Sequence, residues 1–275
     1  MFFVSITKKK IVDRMEGENV KEIQYGPFMF TIITDNFLSK LILMHDGFSV
    51  VESPLISYDQ FRRIVFSEVR YKQKEEFLEI FKSTISGQPI YYTLNTTGEL
   101  FCSTHISMLR RAGVRIEENT KVLPELFVYD YVIPPQTLYK NIHEIPSGSR
   151  LIIDLTDSNV RVRHSDEFRP PVTRNSNVYG STETIFTETL GFLSEICRGL
   201  TPLNDKITVL LSGGLDSSIL ARICQNLYDI EPTCSTGFPF ENPDENFEKE
   251  YALSAAQAFG VRHEYYETST RIYEL

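Results

Sequence analysis

The chain has 275 residues, 41% hydrophobic and 24% charged, the composition of a soluble globular protein with one large domain or two small ones. A formal net charge of −9 supplies no dominant positive field, which argues against a general nucleic-acid or membrane-surface binder but not against a small anion held at one local site. No apolar run approaches the about 18 residues of a membrane span, and the opening MFFVSITKKK places its lysines after a short apolar run, the wrong order for a signal peptide.

Residues 1–165 read as strand-rich. GPFMFTIITDNFLSKLILMHDGFSVVES gives short runs of Phe, Ile, Val and Leu broken by Asp, Asn and Gly, the spacing of hairpins. Lys74 to Thr84 carries Phe77, Leu78 and Phe81 at the spacing of one helical face, which predicts a helix. GQPIYYTLNTTGELFCSTH reads as two strands joined through Asn95-Thr96-Thr97-Gly98, followed by a short helix with Ile106, Leu109 and Arg110 that Gly113 closes. LYKNIHEIPSGSRLIIDL is a strand, a Pro-Ser-Gly turn and another strand.

Residues 166–182, polar and aperiodic with a Pro-Pro pair just before Val172, read as a linker. Beyond it the pattern changes. Ile185, Phe186, Thr189, Leu190, Leu193, Ile196, Cys197 and Leu200 trace one helical stripe. The strand ITVLL, the helix SSILARICQNL, the strand TCSTGF, the helix FEKEYALSAAQAFG and the strand HEYYET follow. Such alternation implies parallel strands with crossover helices, so 183–275 is an α/β region. Cys102, Cys197, Cys224 and Cys234 form no C-x-x-C pair; they read as small buried apolar residues, which fits a reducing cytoplasm.

The run ITVLLSGGLDSS, residues 207–218, passes from an apolar strand into a loop of glycines, serines and one carboxylate. In an open parallel sheet, ligands bind beyond the carboxyl ends of strands. Gly213 and Gly214 let backbone N–H groups curl around an anion, the following helix adds its positive end, and Ser212, Ser217 and Ser218 add hydroxyl donors. Asp216 would repel phosphate alone but is useful beside Mg²⁺, which takes carboxylate and phosphate oxygens together. The loop therefore reads as a magnesium–pyrophosphate site, against the plainer alternative of a serine-capped strand-to-helix turn.

SGGLDSS at 212–218 resembles the signature of the PP-loop (N-type) ATP pyrophosphatases, and LLSGGLDSS resembles their asparagine synthetase branch. LPELFVYDYVIPPQTLYKNIHEIPSGSRLIIDL, 123–155, is similar to the segment before that family's synthetase domain, and GELFCSTHISMLRRAG to the end of its glutaminase domain. The resemblance implies an α+β N-terminal domain of Ntn-amidohydrolase sandwich type over 1–165, the linker 166–182, and a partial α/β parallel-sheet PP-loop domain over 183–275. It implies ATP and Mg²⁺ as ligands. Ser212, Gly213, Gly214, Asp216, Ser217 and Ser218 would hold pyrophosphate and magnesium, with Asp216 the metal ligand, and Leu210, Leu211 and Gly237 would lie near the adenine. Gly237 reads equally as a turn glycine. The implied chemistry is attack of a substrate carboxylate on the α-phosphorus, then displacement of AMP by a nitrogen nucleophile to form an amide. No catalytic residue is assigned.

Two departures from the family shape the expected function. Glutamine-dependent members carry a cysteine directly after the initiator methionine; here Phe2 stands there, and no cysteine precedes Cys102. The family's early Arg and Asn-Gly signals are not matched by Arg62, Arg63, Arg70, Asn119 or Asn141. A degenerate glutaminase domain is expected, as in β-lactam synthetases and lasso-peptide cyclases, which use a substrate's own amine. The chain also stops at Leu275, short of the family's usual synthetase domain, so a fragment, a partner chain supplying the rest, or an inactive remnant are all open. The expected function is an AMP-forming amide or lactam synthetase-like activity without glutaminase, on a carboxylate-bearing small molecule or peptide, with a possible C-terminal partner chain and no nucleic acid or membrane. The alternatives are a glutamine-hydrolysing asparagine synthetase homologue and a non-catalytic peptide- or partner-binding remnant. The acidic run 241–250 reads as a solvated helix start, and His263 as structural.

Overall fold

A computed structural model of the chain describes residues 2–7, 19–34, 39–52, 67–83, 88–155, 161–167, 181–199, 206–230, 232–237 and 247–267. The chain divides into two units, the first within 1–173 apart from residues 55–57, the second within 174–275.

Unit 1 contains the strands β1 (Phe2–Thr7), β2 (Asn19–Tyr25), β3 (Phe28–Thr34), β4 (Ser39–Met44), β5 (Gly47–Glu52), β6 (Ser67–Lys72), β7 (Phe77–Lys82), β8 (Tyr91–Leu94), β9 (Leu100–Ser103), β10 (His143–Glu144), β11 (Ser149–Asp154) and β12 (Arg161–Glu167), with helices α1 (Ile106–Arg111) and α2 (Leu123–Tyr129). They pair in two antiparallel sheets, ordered β10-β8-β9-β1-β3-β2 and β12-β11-β7-β6-β5-β4. Period-two alternation explains the sandwich, because successive side chains of a strand point to opposite faces. In β1, Phe2, Val4 and Ile6 enter a core shared with Phe48, Val50, Val69, Tyr71, Leu78 and Ile80 of the other sheet. Phe3 faces the other way and packs with Ile33, Phe101, Met108 and Leu109, so α1 covers the outer face. Phe30 sits among aromatic rings, 5.2 Å from Phe48 and 4.6 Å from Tyr71 between centroids. Each such ring withdrawn from water contributes about 1.5–3 kcal/mol.

The predicted helix over 74–84 is corrected here. Its first residues form the turn Gln73–Glu76, and 77–82 are β7, whose buried positions are Leu78, Ile80 and Lys82. The inward row has period two, but its third member is a lysine. Lys82 Nζ lies 2.8 Å from Glu144 Oε1, so the buried charge is paired and ties one sheet to the other. The predicted hairpin through Asn95 is present: Asn95 Oδ1 accepts from the Thr97 and Glu99 N–H groups, and Gly98 has φ +77°. The strand β12 runs to Glu167 and the next helix begins at Thr182, so regular structure enters the predicted linker at both ends; residues 168–180 lie outside the described residues.

Unit 2 alternates α3 (Thr182–Gly199), β13 (Lys206–Ile207), α4 (Leu215–Leu227), β14 (Asp229–Ile230), β15 (Thr233–Gly237), α5 (Phe247–Phe259) and β16 (His263–Glu267). The pairs β13–β14 and β15–β16 are parallel. Beyond β13 the chain pairs with β15: Cys234 donates to Val209 O at 3.1 Å and Leu211 N donates to Cys234 O at 2.8 Å. The predicted strand ITVLL thus serves two short ladders, interrupted near Pro232, which has no N–H to give. The α3 stripe is buried only at its end. Cys197 is 4% exposed and packs with Ile223 and Cys224 of α4, whereas Ile185 and Phe186 are exposed. Burial and the adjacent Cys197 push the Cys224 thiol up to about 11, which keeps it protonated and inert. Cys234 departs from expectation in being half-buried. Among the described residues no helix is long and apolar enough to cross a membrane.

Candidate functional site

The loop 212–218 lies where β-ladder gives way to α4. Gly213 adopts φ +81°, which lets the chain reverse from the strand into the helix. A Cβ there would stand 2.3 Å from the carbonyl carbon of Tyr251 and 2.5 Å from the Ala252 nitrogen, so only glycine lets the loop lie on α5. Gly214 is the N-cap of α4 and has no side chain to occupy the helix's free donors. Intrahelical bonding begins when Ser218 N donates to Gly214 O at 3.1 Å, leaving the N–H groups of Leu215, Asp216 and Ser217 without partners along the helix.

The serines hold the loop in this form. Ser217 Oγ donates to Gly214 O at 3.2 Å and accepts from Ser212 N at 3.3 Å. The Ser212 and Ser217 hydroxyls lie 3.0 Å apart, and Gly214 N donates to Ser212 Oγ at 3.4 Å. The Asp216 side chain is exposed on the first turn and makes no hydrogen bond or ion pair among the described residues. These features fit an anion accompanied by a cation. An uncapped helix end, where a Cβ at Gly214 would meet only the Ser212 hydroxyl at 3.5 Å, offers amides to phosphate oxygens. Asp216 can supply one oxygen to Mg²⁺, which binds through one or two carboxylates together with phosphate oxygens. Among the described residues there is no cluster of three or more His, Cys, Asp or Glu side chains that would hold a metal unaided.

The structure brings together Ser212, Gly213, Gly214, Asp216, Ser217 and Ser218 on this one turn. Leu210 and Leu211 point apart: Leu210 is 73% exposed, whereas Leu211 is fully buried against Ala221 and Ala256. Any part Leu211 takes toward a ligand is through its backbone. Gly237 ends β15 as a strand residue, and a Cβ on it would lie 2.2 Å from the Tyr265 hydroxyl. Phe238 lies outside the described residues, as do Arg62, Arg63 and residues 241–246 of the acidic run; Glu248 and Glu250 are exposed in the first turn of α5. Arg70 is engaged by Glu68, with an N–O distance of 2.8 Å.

Sequence reading missed three α5 and β16 residues beside the site. Tyr251 and Tyr265 pack on Gly213 and Gly237. Lys249 Nζ stands 4.5 Å from the Tyr265 ring centroid and 3.7 Å from Glu267. An aromatic residue recurring beside a glycine far away in sequence carries no local signal.

His263 is held on both nitrogens, Nδ1 by Thr233 Oγ1 at 2.9 Å and Nε2 by Ser235 Oγ at 3.0 Å. Thr233 Oγ1 donates to Arg262 O at 3.3 Å, so it accepts from Nδ1–H, and Nε2 accepts the Ser235 hydroxyl proton. Burial lowers the His263 pKa, since the charged form is desolvated. The folded state then binds fewer protons than the unfolded chain at and below the ordinary histidine value of about 6.5. Unit 2 is therefore expected to hold this stability above that pH and to lose it as pH falls below. Melting curves at pH 7.5 and 5.5 should show a larger loss for the natural chain than for His263→Gln; equal losses would remove His263 from the account.

Two family models match the chain. Asparagine synthase matches residues 204–273, which contain the loop, and the glutamine amidotransferase domain matches residues 64–164 within unit 1. A comparison with curated proteins gave no match. Unit 1, built of antiparallel sheets, thus contains the segment that matches a glutamine amidotransferase domain, in a chain of mixed α/β structure.

Proposed function

We propose, on the support these two matches give to membership of the asparagine synthetase family, that the chain is an ATP-dependent, AMP-forming amide or lactam synthetase-like protein without glutaminase activity. The observation that carries the reading is the uncapped N-terminus of α4 with the unengaged Asp216 carboxylate on its first turn. Mg-ATP, when bound, supplies the activation of a carboxylate. The chain's part is positioning and charge: the 215–217 amides and the three serine hydroxyls hold phosphate oxygens, Asp216 holds the cation, and the packed Gly213–Tyr251 contact fixes the loop before ligand arrives. The proposed domains are the amidotransferase-type unit over 1–165, a linker over 166–182 and a PP-loop domain over 183–275.

The amidotransferase match favours a second reading, a glutamine-hydrolysing homologue. The placement of thiols favours the first reading. Cys102 is the only cysteine in the sequence of unit 1, and it is wholly buried in the sandwich core. Phe2, at the head of the central strand, buries its ring in the same core; its N–H donates to Thr104 Oγ1 at 3.1 Å and its carbonyl accepts from Ser103 Oγ at 2.8 Å. A nucleophile must meet its substrate, and neither residue does. The amine donor is proposed to be a second amine of the substrate itself. A partner chain that completes the site would cover the apolar side chains exposed in unit 2, among them Phe186, Leu215, Tyr251 and Tyr266.

The test is Mg-ATP binding by thermal shift, with calorimetry beside it. Ligand at about 100 times its dissociation constant adds roughly 2.7 kcal/mol of stability. A magnesium-dependent shift is expected, together with no release of ammonia from glutamine. No shift in Mg-ATP rejects the nucleotide site, and glutamine hydrolysis rejects the degenerate domain.

A further inference from the structure

We propose that one end of the unit 1 sandwich is a binding pocket for a small organic cation, a protonated amine carried on a single ring or a short alkyl body, formed by Tyr25, Phe28, Tyr71 and Glu76. A cavity of about 230 Å³ opens between the β2–β3 turn and the β6–β7 turn, with Leu155 at its side. It lies at the far end of the sandwich from Phe2: in the β1–β3 register Phe2 faces Thr34 while Thr7 faces Met29, next to the turn. The pocket is independent of both amidotransferase chemistry and the unit 2 loop.

Its walls have a specific chemistry. Tyr71 is 4% exposed, yet it lines the cavity and its hydroxyl has no hydrogen-bond partner among the described residues. That hydroxyl opens on the cavity and is not sealed in the core, so a ligand there can bond it in place of water. The Tyr25 ring stands 5.0 Å from the Tyr71 ring at a 44° tilt, and Tyr25 is anchored through its hydroxyl on Gly47 O at 3.4 Å. Phe28 and Pro27 complete an apolar surface. Among the described residues of the lining, Glu76 supplies the one formal charge. Its backbone is fixed at both ends, its N–H on Gln73 O at 3.3 Å and its carbonyl accepting from Leu155 N at 2.9 Å. Glu76 holds φ +52°, in the left-handed region, which sets the side chain's place at the pocket. Neither nearby lysine lines the pocket: Lys72 Nζ pairs with Glu75 at 3.1 Å, and Lys74 is exposed on the turn. Burial, then the Glu76 charge, then Tyr25 raise the Tyr71 pKa, so the phenol stays neutral and the carboxylate alone sets the sign.

Aromatic faces with a single carboxylate attract a cation and repel an anion. Size narrows the class. The cavity exceeds the roughly 150 Å³ that admits benzene and falls below the about 300–1,000 Å³ of drug-sized sites. A benzylammonium-sized ligand meets both limits: its ring lies against Tyr25, Phe28 and Leu155, and its ammonium faces Glu76 and donates to the Tyr71 oxygen.

The experiment titrates the full chain with benzylammonium, benzyl alcohol and benzoate at neutral pH, reading calorimetry and saturation-transfer NMR. Benzylammonium is expected to bind roughly 5-fold or more tightly than the uncharged alcohol, and benzoate not at all. Glu76→Gln should weaken benzylammonium by about 5-fold and abolish its advantage over the alcohol. Tyr71→Phe, which keeps the ring and the packing, should weaken it by a smaller factor. Equal binding of ammonium and alcohol, or undiminished binding to Glu76→Gln, would reduce the site to an apolar cleft and overturn the proposal, as would no transfer to any of the three probes.

Discussion

Replacing Asp216 with alanine is expected to abolish magnesium-dependent ATP binding while the chain stays folded. The carboxylate is exposed and makes no hydrogen bond or ion pair among the described residues, so removing it breaks no packing. What it does contribute to the fold is one negative charge on the first turn of α4, worth about 0.3–1 kcal/mol against the helix dipole. On the proposed reading, it is also the one carboxylate on the turn that would face phosphate. Without it, the cation would lose its protein anchor and the amides would face unneutralised phosphate. A loss of about 100-fold or more in Mg-ATP affinity is expected, which corresponds to roughly 2.7 kcal/mol. Calorimetric titration with and without magnesium measures it, and unchanged affinity would remove Asp216 from the site.

Gly213→Ala should act the opposite way, costing stability and binding together. The residue's φ of +81° costs an L-side chain about 1–2 kcal/mol. The new methyl would also meet the Tyr251 carbonyl carbon at 2.3 Å and the Ala252 nitrogen at 2.5 Å, both backbone atoms that cannot swing aside. Forcing α5 off the loop adds about 1–3 kcal/mol, so unit 2 is expected to lose about 2–5 kcal/mol. Denaturant melts followed by a probe in unit 2 read this loss. A neutral result would mean that the loop does not rest on α5. The two substitutions, three residues apart, separate a residue proposed to touch ligand from one that shapes the loop.

The strand-to-helix turn was legible in the sequence because its signal is local: an apolar strand, two glycines and a serine-rich helix start follow one another directly in ITVLLSGGLDSS. The sandwich was legible as strand-rich for a similar reason, since alternation is written into each strand. The β7 strand was not, because its third inward residue is Lys82 and the apolar positions left over mimic a helical face. The charge is tolerable only through Glu144, 62 residues later. Similar distance hid the roles of Gly213 and Gly237, whose partners Tyr251 and Tyr265 come from elements folded back onto them. The opposed orientations of Leu210 and Leu211 follow from strand pleating, yet which of the two faced inward depended on where α4 and α5 packed. The α3 stripe erred the other way: its periodicity is helical throughout, but only the end near Cys197 meets α4.

The central place of β1 also governs when unit 1 can be finished. β1 leaves the ribosome before either of its partners, and it is flanked by β3 on one side and β9 on the other. The β3 partner follows soon, but β9 emerges about 90 residues later, a delay on the order of 5–20 s at ordinary rates of synthesis. Throughout that interval β1 presents an open, strongly apolar edge, the kind that pairs with other chains. The nascent protein is therefore most vulnerable to mispairing before Leu100–Ser103 arrives, and chaperone occupancy on stalled chains should fall once that strand has cleared the exit tunnel.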